Sequence, residues 1–168
     1  MAEKEQIFSS KIKYAGIFSF ADFYKFCYDW LTEEAGFDIL AETKYSEKIS
    51  GDAKNIDVEW KCSKKVTDYF KYEAKITFKI IGLKKVEVQE GNKKIKTNEG
   101  SVEVSVKGTL LRDYEGKFER DAFRKFLRAI YEKWIIYSRI LQFEDQLAAN
   151  LNEFLSQAKA YLDLEGKK

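Results

Sequence analysis

The most regular feature of the chain is a helical stripe near its end, where Phe123, Leu127, Ile130, Trp134, Tyr137 and Leu141 recur at spacings of four and three. That is the period of one face of an α-helix. The stripe resumes as Ala148, Leu151, Leu155, Ala158 and Leu162, but Glu144 interrupts it and a second line through Ile140, Phe143, Leu147 and Phe154 takes over. The apolar face therefore rotates near residue 142. A shorter helix is predicted over residues 20–35, because Phe20, Phe23, Cys27, Trp30 and Leu31 share a face, Ser19 and Asp22 form a capping box and Gly36 supplies the stop.

Between these helices the period falls to two. Phe37 to Tyr45, Ile56 to Cys62, Ala74 to Ile80, Val86 to Val88, Ile95, and Val102 to Leu110 alternate apolar residues with polar ones, mostly Lys and Glu. Ile7–Phe18 reads as a further strand at the start. Turns are expected at Ser50-Gly51-Asp52, Glu90-Gly91-Asn92 and Asn98-Glu99-Gly100. The fold class is α+β: a mostly antiparallel, curved meander of six or seven strands, wet on one face. The other face is covered by the helix of residues 20–35 and a long C-terminal helical region. A helix over residues 117–165 would measure roughly 70 Å at about 1.5 Å per residue, whereas a ten-residue strand spans only about 33 Å. The helix is expected either to break near 142–145 and fold back, or to project over 140–168 toward another chain.

A length of 168 residues with 45% apolar and 35% charged residues suits one domain over 1–168. The chain contains no His, which removes His-based triads, His metal ligands and the usual near-neutral proton shuttle. A net charge of +2 gives no global bias toward nucleic acid, and a nucleic-acid partner is not expected. Cys27 and Cys62 form no CxxC pair and sit among core-like residues, reading as inert thiols. No export signal or run of 18 apolar residues is present, so a cytoplasmic location without a membrane span is expected.

Asp113, Glu115, Glu119 and Asp121 crowd the connection into the terminal helix, but their spacing matches no EF-hand and acidic first turns are common. Arg120, Arg124, Lys125, Arg128, Lys133 and Arg139 interleave with Phe118, Phe123, Phe126, Tyr131 and Trp134. Such a mixture can stack bases or lie on anionic lipid, but more often it is an amphipathic helix with its rings in the core. No catalytic residue, metal ligand or cofactor site is assigned, and an enzyme is not expected.

The order of strand, helix, antiparallel meander and terminal helix resembles the helix-grip order of the START-like superfamily. That resemblance implies an apolar small molecule or lipid held between sheet and terminal helix. The rings available to line such a pocket are Phe23, Trp30, Trp60, Phe78, Phe123 and Trp134. Surplus apolar helix favours a different function, a non-enzymatic interaction or assembly module. Its self-association or protein-binding face would be Ile140, Phe143, Leu147, Leu151, Phe154, Leu155 and Leu162, and the carrier is the alternative.

Overall fold

A computed structural model describes residues 3–113, 122–135 and 137–166. Its strands are β1 (Glu3–Phe18), β2 (Ile39–Ser50), β3 (Ala53–Lys65), β4 (Phe70–Glu90) and β5 (Lys93–Arg112). They form one antiparallel sheet in the order β1-β5-β4-β3-β2. Helix α1 (Phe20–Asp29) follows β1 and closes with a wide π-type turn at Trp30–Glu34. The expected cap is in place, with the Asp22 amide donating to Ser19 Oγ at 3.4 Å.

Five strands replace the six or seven expected, because two predicted interruptions bend the chain without ending a strand. Gly82, at φ +67°, accommodates a bulge where the register of β4 against β5 shifts between Ile81 and Lys84. Opposite it, Gly100 is not a turn. A Cβ there would come within 3.1 Å of the Leu83 Cα, so only glycine admits the bulged backbone this closely. The stretches Ala74 to Ile80 and Val86 to Val88 are thereby one strand, as are Ile95 and Val102 to Leu110.

The long strands also settle the fate of the terminal helix. Helix α2 (Ala122–Ile130) passes through a π-type turn (Tyr131–Ile135) into α3 (Tyr137–Gly166), which runs unbroken through 142–145. Neither expected alternative occurs. The 30 residues of α3 measure about 45 Å, while the 21 residues of β4 reach about 70 Å, so the sheet is longer than the helix. Helix α3 lies along β1 and β5, and α1 covers the neighbouring strands.

Leu147 and Leu151 pack over Gly108, where a Cβ would stand 2.5 Å from Leu151 Cδ1 and 3.3 Å from Phe8 Cβ. Gly108→Ala is expected to destabilise the fold by about 1–3 kcal/mol through overpacking, read as a lower urea midpoint. An unchanged midpoint would show that the helix does not press on the sheet there.

Candidate functional site

The end of the sheet nearest α2 carries a concentration of charge. Asp113 is only 3% exposed, adopts φ +51° and donates its amide to Tyr69 O at 2.8 Å. Its carboxylate faces Arg128 of α2 at 3.5 Å. Arg112 pairs with Glu5 at 3.3 Å and with Glu132 of the π-type turn at 3.7 Å, and Tyr69 Oη donates to the same Glu132. Burial, followed by the Glu132 hydrogen bond, pushes the Tyr69 hydroxyl upward. Burial, then the proximity of Glu5, raises the Glu144 carboxyl. Buried acids of this kind require cationic partners, and Arg128 answers Asp113. Glu115, Glu119, Asp121, Phe118 and Arg120 lie outside the described residues. Among the described residues, no group of three or more His, Cys, Asp or Glu is placed to hold a metal ion.

This anchorage ties α2 to the body through Arg128 and leaves its apolar side chains uncovered. Arg128 is drawn onto the body by Asp113 while Arg124 and Lys125 stay exposed, and the apolar side chains also face outward: Phe123 is 68% and Phe126 60% exposed, with Leu127 exposed beside them. Tyr137 and Leu141 at the start of α3 are exposed as well. Of the strongest stripe in the sequence, expected to cover the sheet, Phe123, Leu127, Tyr137 and Leu141 are thus on the outside and Ile130 is half-buried.

The second stripe is on the inside. Ile140, Leu147, Leu151, Phe154, Leu155 and Leu162 are buried, and Phe143 is half-buried with its ring 4.9 Å from Phe70. The association face expected at these residues is corrected accordingly: they form the chain's own core, because the sheet is long enough to receive all of α3. Nor does 140–166 project.

The expected apolar-ligand lining is corrected as well. Phe23, Trp60 and Phe78 are fully buried and fill the interior against one another, with Trp60 and Phe78 centroids 4.7 Å apart and Phe23 and Phe78 6.2 Å apart. Trp30 packs on Phe154 at 5.6 Å. Phe123 points to solvent, and the Trp134 side chain lies outside the described residues.

On the opposite, helix-free face of the sheet lies an open groove of about 520 Å³, lined from both edge strands and crossed by Lys4, Lys61, Lys75 and Lys107 with Glu73. Alternation foretold a wet face, but not which cations meet on it.

Both cysteines are free and buried. Burial pushes the Cys62 thiol up to about 12 and Cys27 well above its ordinary value, so both stay protonated and poorly nucleophilic at neutral pH. Tyr24 and Tyr45 are pushed up to about 12 by burial and then by their hydrogen bonds to Glu42 and Glu47, and Tyr72 reaches about 12 through burial alone. Each group is raised above its unfolded value, near 8.5 for Cys and 10 for Tyr. Their contribution to stability is therefore complete below about pH 8.5 and is lost as pH rises toward 12. Urea midpoints followed by circular dichroism are expected to fall steadily between pH 9 and 12. A flat profile there would contradict the buried placement of Cys27, Cys62 and Tyr72.

Among the described residues no helix is long and apolar enough to cross a membrane. The chain matches no family model, no curated protein and no solved structure.

Proposed function

We propose that this protein is a non-enzymatic assembly module that pairs with a second copy of itself through the first half of its C-terminal helical region. The observation that carries the reading is the set of exposed apolar side chains Phe123, Phe126 and Leu127 on α2, which Arg128 ties to the body, and Tyr137 and Leu141 at the start of α3. With rings presenting about 150–250 Å² each when bare, the five side chains leave roughly 500 Å² of apolar surface uncovered. That is near the upper end for a typical monomer. It also matches the apolar share of a standard interface, which takes about 800 Å² from each partner.

A second copy suits this surface better than an anionic membrane. Membrane-lying helices need their cations free beside the apolar face, whereas three of the five described cations here, Arg124, Arg128 and Lys133, are engaged within the chain. Only Lys125 and Arg139 stand exposed without a partner among the described residues. An apolar helical stripe is self-complementary about a two-fold axis, and a net charge of +2 opposes pairing only weakly. Light scattering across a concentration series tests the reading. A rise from 19.7 kDa to twice that mass is expected. A mass fixed at the monomer value into the high micromolar range overturns it, as does binding to anionic vesicles by a protein that stays monomeric.

A further inference from the structure

The helix-free face of the sheet is built from cross-strand rows, and two of these rows treat charge in opposite ways. Asp57, Lys79, Glu103 and Lys13 stand side by side on β3, β4, β5 and β1 with strictly alternating charge. Two rows away, Lys61 opposes Lys75 and Lys75 opposes Lys107, three cations abreast on three neighbouring strands. Like charges directly opposite one another destabilise a sheet, and an alternating row would have avoided that cost at the same solubility. Lys75 reaches Glu59 on the diagonal at 3.5 Å. Lys61 and Lys107 have no carboxylate partner among the described residues, and neither does Lys4, which enters the same groove.

From this juxtaposition we infer that the groove is a binding site for a small ligand carrying several phosphate groups, laid across the strands along the Lys61–Lys75–Lys107 row. Strands lie about 4.8 Å apart, so the row spans roughly 10 Å. That length suits two or three linked phosphates better than a single anion. Lysines act as mobile point charges that can converge on tetrahedral oxyanions without fixed geometry. Gln6, Ser63 and Thr109 occupy the adjacent row and offer hydrogen bonds to a ligand's remaining oxygens. Glu73, also in that row, confines the anionic part to the lysine side. The groove has no aromatic ring on which a base would stack, which disfavours single-stranded nucleic acid, and its volume of about 520 Å³ fits a small molecule.

Isothermal titration with inorganic tripolyphosphate at low salt tests the site, with orthophosphate, inositol hexakisphosphate and a single-stranded RNA as comparison arms. Saturable binding of one tripolyphosphate per chain is expected, at least about tenfold tighter than orthophosphate. Better binding of the inositol phosphate would place the phosphates on an organic ring; better binding of tripolyphosphate would indicate a linear chain. Both support the site. The K61Q/K107Q variant should weaken binding at least about tenfold. K25Q/K48Q removes the same charge elsewhere and should change it less than about twofold. Losing the row's repulsion should leave K61Q/K107Q folded, as circular dichroism would verify. The inference is overturned by absence of saturable binding, by equal losses in the two double variants, or by RNA binding more tightly than any of the small phosphates.

Discussion

The variant F123D/F126D is expected to be a folded monomer at every concentration at which the parent chain pairs. Both rings are more exposed than buried, at 68% and 60%, so replacing them removes little from the chain's own core. Substitutions at such positions usually shift stability by less than about 0.5 kcal/mol. Across a two-fold interface the same two changes count twice. Aromatic anchors at the centre of an interface commonly contribute about 2 kcal/mol or more each, and an aspartate in their place must be desolvated opposite apolar surface. A loss of at least about 4 kcal/mol follows even with allowance for non-additivity, which weakens the dimer by about a thousandfold. Light scattering reads the mass and thermal melting reads the fold. A variant that unfolds would place these rings in the core and dismiss the outward stripe. A variant that still pairs would move the interface elsewhere.

Why the two apolar stripes exchange roles between sequence and structure is a matter of what periodicity encodes. A 3.6-residue period shows that one helix face is apolar, but not which body covers it. Choosing the cover required the sheet's length, and that depended on Gly82 and Gly100. Both resemble ends of strands in sequence, yet both are points where a strand bends and continues. Ending one strand at Ile80 and reading Gly100 as a turn shortens the sheet and leaves α3 apparently too long to bury. Local signals were faithful by contrast: the Ser19 cap, the alternation on β3 to β5, and the turns at Gly51 and Gly91 depend only on neighbouring residues.

The lysine row was beyond such reading for a different reason. Residues 61, 75 and 107 become neighbours only through the register of β3, β4 and β5, which the bulges and turns fix jointly. Asp113 was visible as one acid among four in a connection. Its pairing with Arg128 is a tertiary contact that ties α2 to the body.

Leu151→Glu should separate the two stripes from the other side, by leaving no folded protein in which association could be measured. Leu151 is completely buried and its Cδ1 lies over Gly108, at the contact between α3 and β5. Truncating a buried leucine costs about 2–5 kcal/mol, and a carboxylate at the same place adds a further desolvation cost of several kcal/mol unless it is protonated or paired. Its surroundings include Leu147, Phe8 and the Gly108 backbone, none of which offers a cation. The total approaches the whole stability of an ordinary domain, about 5–15 kcal/mol, so far-UV circular dichroism and urea titration should show a largely unfolded chain at 25 °C. F123D/F126D should retain the parent spectrum under the same conditions. The opposite pattern, a folded Leu151→Glu that has lost only its partner, would return the association face to 140–162 and require α3 to leave the sheet. The long, bent strands make that arrangement costly, since lifting α3 away would expose Gly108, Val106 and Leu110 of β5 together with the buried side of α3.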